Sequence, residues 1–278
     1  MLDCLLDGLL DTLKILPYLF VTFLVLELIE HKLNKKAQKT LAKYQKIGPV
    51  IGGITGGFPQ CGFSAMAANL YTGRVITIGT LVAIFLSTSD EMLPIMIGEQ
   101  ASFGLVAGIV GFKIIIGIIV GLIVDLIFKN QNHKNEIKEI CHDEHCNCDK
   151  DGAFIASLKH TFKTTLFVLI ANLLINIVIY VVGEEKITDL LTSKNVLTYF
   201  VASLIGLVPN CAASIALTEA FLTGFTTIGV TMAGLLTGSG LGILLLFKNN
   251  KSLKENLTVL SIIYFVGVIV GILIDLAM

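Results

Sequence analysis

The stretch GGITGGFPQCGFSAMAANLYTG, residues 52–73, sets four glycines just ahead of Pro59 inside an apolar segment. Glycine and proline interrupt a membrane helix and free backbone groups, which is tolerated only where the backbone is buried in protein or lines a wet cavity. A comparable stretch, GLVPNCAASIALTEAFLTG, occupies residues 206–224, with Gly206 and Pro209 near its start. The sequence therefore predicts an interrupted helix in each half of the chain.

An offset of 150 residues relates three motifs of the chain. The motifs are Pro59, Cys61 and Ser64, which recur as Pro209, Cys211 and Ser214; Thr77, Ile78 and Gly79, which recur as Thr227, Ile228 and Gly229; and Gly117, Gly121 and Asp125, which recur as Gly267, Gly271 and Asp275. Three motifs at one offset indicate an internal duplication. Membrane repeats with corresponding interruptions are typical of transporters whose site lies where the repeats meet.

The composition indicates an all-α integral membrane protein. Hydrophobic residues make up 54% of the 278 residues and charged residues 15%, and the mean hydropathy is +0.83. The apolar residues form blocks of about 20, the length of a membrane-spanning helix. These segments cover residues 15–29, 48–71, 75–97, 103–128, 154–182, 196–222, 225–247 and 257–277. No basic start with a cleavage site precedes the first segment, so we expect no removable signal peptide.

Loop charges predict that the two repeats have opposite orientations. Residues 31–46 hold six lysines and no acid, which places them in the cytoplasm, whereas the matching residues 183–195 have lost this bias. Residues 98–102 hold Glu99 and no basic residue, and their counterpart, residues 248–254, holds three lysines and no acid. Inversion requires an odd number of crossings per repeat.

We therefore predict three spans and one re-entrant helical hairpin in each of two inverted-topology repeats, the hairpins being residues 48–71 and 196–222. The first repeat covers residues 1–128, a cytoplasmic linker covers 129–152 and the second repeat covers 153–278.

Two groups of residues are candidates for a substrate site. At the hairpin tips, N–H groups at the start of a helix opened by proline can hold an oxygen-rich solute, and thiols can hold a soft metal. In the segment 75–97, hydroxyl and carboxyl groups lie near the centre, where an ionised side chain costs at least a few kcal/mol unless it faces a cavity or a partner. The candidate substrate-binding residues of these two groups are Pro59, Cys61, Ser64, Ser87, Thr88, Ser89, Asp90, Glu91, Pro209, Asn210, Cys211 and Ser214. Glu219, a carboxylate further along the second hairpin, is an additional candidate.

The linker carries a cluster of soft and borderline metal ligands, namely Cys141, His142, His145, Cys146 and Cys148. Their spacing does not match a structural zinc finger. The pattern predicts a patch that collects or senses a metal ion, and a solvated linker with incidental His and Cys is the alternative.

The two quoted stretches, the STSDEMLPI stretch at residues 87–95 and the His/Cys linker resemble the family of ten-transmembrane heavy-metal exporters, also called arsenic efflux proteins. The resemblance covers nearly the whole chain. It implies efflux of an arsenical or heavy-metal ion, and manganese is a further cargo proposed for such proteins.

We therefore expect a secondary active transporter of the plasma or inner membrane that exchanges a metal or metalloid for protons. Its partners would be lipid, the metal ion and protons, with no nucleic acid and no resident cofactor. The chain has no GxxxxGK[ST] loop for a nucleotide. One alternative is an exporter of Mn²⁺ or another divalent cation that uses Asp90, Glu91 and Glu219. Alternatives from other classes are a membrane-embedded thiol redox enzyme using Cys61 and Cys211, and a passive channel or metal sensor.

Overall fold

The computed structural model describes residues 47–58, 61–89, 92–128, 195–209 and 211–277, together with isolated helical positions at 20, 24, 158, 161, 162, 165, 166, 169 and 170. Throughout these ranges the regular structure is helical, with no strand. Four helical stretches there are long and apolar enough to cross a membrane: Ile78–Gly98, Phe103–Ile127, Ile228–Asn249 and Leu253–Ala277. The prediction of an all-helical membrane protein is confirmed. The linker 129–152 lies outside the described residues, as do the apolar segments 15–29 and 154–182 apart from the isolated positions.

The helices of the second half repeat those of the first at the same offset of 150 residues. The first half contains α1 (Gly48–Gly56), α2 (Cys61–Thr72), α3 (Ile78–Ser87), α4 (Met92–Gly98) and α5 (Phe103–Ile127). The second half contains α6 (Val196–Gly206), α7 (Cys211–Leu222), α8 (Ile228–Thr237), α9 (Leu241–Asn249) and α10 (Leu253–Ala277). The bounds of α2, α3 and α5 recur in α7, α8 and α10.

Four of the apolar segments predicted from the sequence are each divided into two short helices. The interruptions within 48–71 and 196–222 fall at the predicted Gly and Pro residues. The segments 75–97 and 225–247 are divided as well, after Ser87 and after Thr237. In the second of these, Gly240 precedes α9 with φ 52° and ψ −136°, a conformation that residues with a side chain rarely adopt. In the first half, the polar residues 87–91 at the centre of 75–97 begin at Ser87, the last residue of α3.

An aspartate near the end of each long helix caps the start of α3 or α8. Asp125 accepts bonds from the Thr77 hydroxyl at 2.7 Å and from the Gly79 N–H at 2.9 Å. Asp275 makes the equivalent bonds, with the Gly229 N–H at 2.9 Å and with the Thr227 hydroxyl. A carboxylate at a helix N-terminus satisfies donors that lack a helical partner and interacts favourably with the helix dipole. Each long helix is thereby fixed to the start of its divided neighbour.

Glycine contacts fix the directions of the helices in the first half. Gly48 packs against Thr80 and Gly56 against Ser87, so α1 runs alongside α3 in the same direction. The connecting helix α2 runs from the end of α1 to the loop before α3, and so returns towards the end from which α1 starts. Gly121 packs against Gly79, so α5 runs opposite to α3.

The second half has the same internal arrangement. Gly206, the last residue of α6, packs against Thr237, the last residue of α8. Gly271 of α10 packs against Gly229 at the start of α8, which makes α10 antiparallel to α8. One continuous core of buried apolar side chains joins the two halves and includes Phe85, Leu86, Leu236 and Leu245.

A polar cluster joins the halves at the end where α10 begins. Glu255, in the first turn of α10, accepts a bond from the Tyr71 hydroxyl at 2.8 Å and pairs with the Arg74 guanidinium at 3.0 Å. Burial disfavours the charge on Arg74, but its hydrogen bond to Glu255 and the charge of that carboxylate raise the guanidinium pKa above its usual value. Nearby, Asn249 Nδ2 donates to Asn69 Oδ1 at 2.6 Å. The loop before α3 is therefore held against the start of α10.

Candidate functional site

Helix ends from both halves meet in a buried region lined by hydroxyl groups. The end of α1 contacts the end of α3 through Gly56 and Ser87, and α2 contacts α9 through Ser64 and Gly242. The hydroxyl-bearing residues here are at most 1% exposed: Ser64, Ser87, Thr88, Ser89, Ser203, Thr237 and Ser239. Such a concentration of polar groups amid apolar helices marks this region as the candidate substrate site.

Most of these hydroxyls donate their hydrogen to a backbone carbonyl. Ser87 donates to Ala83 O at 2.8 Å and Thr88 to Ile84 O at 2.7 Å, while Thr237 donates to Ser203 O at 2.9 Å. A hydroxyl that donates in this way keeps its oxygen lone pairs as acceptors. Within the described residues, the Ser239 hydroxyl has no hydrogen-bond partner although it is buried. The region can therefore offer oxygen atoms to a cation or to a protonated solute.

Lys113 also lies in this region and is not among the residues predicted from the sequence. It lies in α5, about 15 Å from the first residue of that helix at 1.5 Å per residue, and it is 1% exposed. Its Nζ donates to the Leu235 carbonyl at 2.8 Å and to the Thr88 carbonyl. The signal was present in the sequence, because Lys113 is the only basic residue in a helix of mean hydropathy 2.6, and an ionisable residue within a span is a functional candidate by default.

The structure brings some of the predicted site residues together. Ser64, Ser87, Thr88 and Ser89 lie in the buried hydroxyl region. The partly buried Ser214, in α7, lies beside Gly238 at the interruption between α8 and α9.

The other described candidates occupy three kinds of position. Cys61 and Cys211 are the first residues of α2 and α7, and Pro209 is partly buried just before α7. Glu219 is exposed, two turns further along α7, and so does not join the buried hydroxyls.

The remaining candidates lie outside the described residues, and these are Pro59, Asp90, Glu91, Asn210, Cys141, His142, His145, Cys146 and Cys148. Within the ranges that the structure describes, no three His, Cys, Asp or Glu residues come together as a metal site. The described part of the candidate site is thus composed of hydroxyls, backbone carbonyls and one lysine.

Apolar spans that are divided at a buried polar region are a feature of many polytopic membrane transport proteins. The model of a family described as "Putative, 10TM heavy-metal exporter" matches residues 2–184, and the chain belongs to this family. The match covers the first half, the linker and the beginning of the second half, and confirms the resemblance seen in the sequence motifs. Searches of curated proteins and of solved structures returned no match.

Proposed function

We propose that this chain is a secondary active transporter that exports an arsenical or heavy-metal ion in exchange for protons. The observation that carries the proposal is the meeting of divided helices from both halves at one buried, hydroxyl-lined region. Helix ends at the centre of a membrane present unpaired N–H and C=O groups, which is how many secondary transporters bind ions and small solutes.

The contacts of α10 support two repeats of inverted topology. The first turn of α10 bonds through Glu255 to Arg74, just before α3, and its last turn bonds through Asp275 to the start of α8. Hence α3 and α8 begin at opposite ends of α10. Two repeats related by rotation about an axis in the membrane plane would have this arrangement, and it suits alternating access to a central site.

The packing within each half supports the re-entrant hairpins. Because α1 and α3 run in the same direction, the helix α2 between them returns to the side from which α1 came. The α6 and α7 pair repeats this arrangement beside α8. On this proposal, the hairpin tips carry Cys61 and Cys211 to the bilayer centre from opposite faces.

The charges support a cytoplasmic location for the end that holds Arg74. This end also carries Lys248 in the last turn of α9, Lys251 in the connection and Lys254 in the first turn of α10. Residues 31–46, with their six lysines, lead into α1 at the same end. Lysine and arginine accumulate in cytoplasmic loops. We place the linker 129–152 on this side too, because it follows α5, and we propose that its Cys and His residues capture metal before transport.

The test of function is flux of arsenite and Mn²⁺ in vesicles that contain the purified protein. A thiophilic cargo would bind the thiols at the hairpin tips, so Cys61→Ser and Cys211→Ser should each slow arsenite export sharply. The control is Cys4→Ser. Cys4 lies outside the repeated motifs, so this substitution should leave flux unchanged. No arsenite flux above that of empty vesicles would reject the arsenical substrate.

A divalent-cation exporter is the second candidate, and the buried oxygen atoms favour it. Hydroxyl and carbonyl oxygens, with the carboxylates of Asp90 and Glu91, are the donors that Mn²⁺ prefers over thiols. In that case Mn²⁺ flux should survive Cys61→Ser and Cys211→Ser. Metal content of cells with and without the protein, measured across elements, would show which cargo is lowered.

A further inference from the structure

The Lys113 ammonium lies between the C-terminal ends of one helix from each half. It donates to the carbonyl of Thr88, the residue that follows α3, and to the carbonyl of Leu235, in the last turn of α8. Carbonyls at the end of a helix lack the N–H partners that they would have inside it, and they carry the negative end of the helix dipole. Both bonds therefore join a cation to groups that attract one.

The helix interruption makes the Leu235 carbonyl available. In an uninterrupted helix, that carbonyl would accept a bond from the N–H of Ser239. Here the Ser239 N–H donates instead to the Thr237 carbonyl at 2.9 Å. An unpaired carbonyl at this depth would be costly, since membranes and dry protein supply no water to satisfy it.

Dissolved monovalent cations fill such positions in other membrane proteins. Carbonyl groups of unwound backbone and of the C-terminal ends of half-helices coordinate these cations where the repeats meet. In this chain the covalently attached ammonium holds the equivalent position, and the residue at the matching place in the second half is the fully buried Ile263.

We propose that Lys113 is a tethered cation occupying a monovalent-cation site between the two halves, and that it joins them without a dissolved alkali ion. The site would accept K⁺, Na⁺ or a small alkylammonium once the lysine side chain is removed. This proposal concerns how the halves are held together and does not depend on which substrate is exported.

The test is thermal unfolding of the purified chain in detergent, followed by far-ultraviolet circular dichroism, in potassium, sodium, ethylammonium or choline chloride at equal ionic strength. The wild type should unfold at one temperature in all four salts. Lys113→Ala should unfold several degrees lower in choline, whose quaternary ammonium is larger than the lysine ammonium and has no N–H to donate, and recover in potassium, sodium or ethylammonium. The recovery should grow with the logarithm of the ion concentration.

Two further variants separate this role from a packing role. Lys113→Met fills the space without a charge, so its unfolding temperature should fall and show no response to the cation. Ile263→Ala removes a buried side chain at the matching position of α10 and should be destabilised equally in every salt.

Equal unfolding temperatures for Lys113→Ala in choline and in the three smaller cations would overturn the proposal. Failure to obtain the folded variant even when it is purified in ethylammonium would also count against it. The measurement needs no substrate, so it stands or falls independently of the export assay.

Discussion

At the scale of single residues, Asp125 illustrates how one carboxylate can set the position of two helices. Its oxygens accept from the Thr77 hydroxyl and the Gly79 N–H, while its backbone belongs to α5. The start of α3 and the end of α5 are therefore linked by a cap, and the cap recurs with Asp275.

We expect Asp125→Ala to lower the free energy of unfolding by about 1–2 kcal/mol, because two donors at the start of α3 lose their acceptor. Asp125→Asn should cost less, since its amide oxygen can still accept from the Gly79 N–H. Thermal unfolding in detergent measures both. An alanine variant as stable as the wild type would show that the cap is not needed for stability.

We assign the proposed proton coupling to Asp90, because a carboxylate within an apolar segment can take up and release a proton there. It follows the buried hydroxyls of Thr88 and Ser89 and has Gly240 as its counterpart in the second half. Asp90→Asn keeps the shape and removes the titrating group, so we expect export driven by a proton gradient to be lost in vesicles while the protein still folds. Glu91→Gln is the neighbouring comparison. Flux with an unchanged pH dependence in Asp90→Asn would exclude this residue as the coupling site.

Single residues also show which parts of the candidate site can be predicted from the sequence and which cannot. The buried hydroxyls at 87–89 were predicted, because polar residues inside an apolar segment stand out. Lys113 stands out equally in the sequence, but its two carbonyl partners cannot be predicted from spacing, since they belong to α8 and to the interruption after α3. Glu219 is a candidate because it is a carboxylate within the predicted second hairpin, and only the structure shows that it is exposed.

At the scale of helices, glycines decide how closely α5 approaches α3. A methyl group on Gly121 would lie 2.6 Å from the Gly79 carbonyl oxygen and 2.8 Å from Ala83 Cβ. A methyl group on Gly111, in the same helix, would meet nothing within 4 Å. The two glycines thus differ in surroundings but not in secondary structure.

Gly121→Ala should therefore destabilise the protein by about 1–3 kcal/mol, because α5 must move away from α3. Gly111→Ala is the matched control and should be neutral or slightly stabilising, as alanine favours a helix over glycine. Unfolding temperatures of the two variants provide the comparison. Equal values would mean that α5 and α3 are packed less closely than the contacts indicate.

The linker 129–152 allows metal capture to be tested separately from export. Because it follows α5 outside any apolar segment, we do not expect it to line the central path. Replacing Cys141, His142, His145, Cys146 and Cys148 by Ser or Ala should leave the maximal flux nearly unchanged and raise the substrate concentration at half-maximal flux. Complete loss of flux in folded protein would place the substrate site in the linker.

Helix interruptions were predictable only where glycine and proline cause them. The divisions within 48–71 and 196–222 followed from Gly and Pro. The divisions after Ser87 and Thr237 are not predicted, because 75–97 and 225–247 are each long and apolar enough for one continuous helix despite the polar and glycine residues at 87–91 and 237–240. There, tertiary contacts hold the helix ends, including the bonds from Lys113, and Gly240 supplies a backbone conformation that a local pattern does not reveal.

At the scale of the whole molecule, the proposed opposite orientation of the repeats predicts which loops share a side of the membrane. Cysteines introduced at the exposed Lys251 and within residues 31–46 should react with a membrane-impermeant thiol reagent from the cytoplasmic face. Cysteines at the exposed Glu99 and within residues 183–195 should react from the other face. The native cysteines are first replaced by serine. Reaction of Lys251→Cys and Glu99→Cys from one face would contradict the inverted arrangement.

The buried Lys113 has no lysine counterpart in the second half, and this difference bears on how such a chain can arise. A half-length ancestor that paired with an identical copy would carry two ammonium groups into one dry space. At 4 Å and an effective dielectric constant of about 20, they would repel each other by about 4 kcal/mol. A single lysine, with Ile263 at the matching position of the second half, avoids this conflict, and only genes or gene segments free to diverge can encode the difference. This lysine therefore requires two halves that differ in sequence, and an assembly of two identical halves would have to do without it.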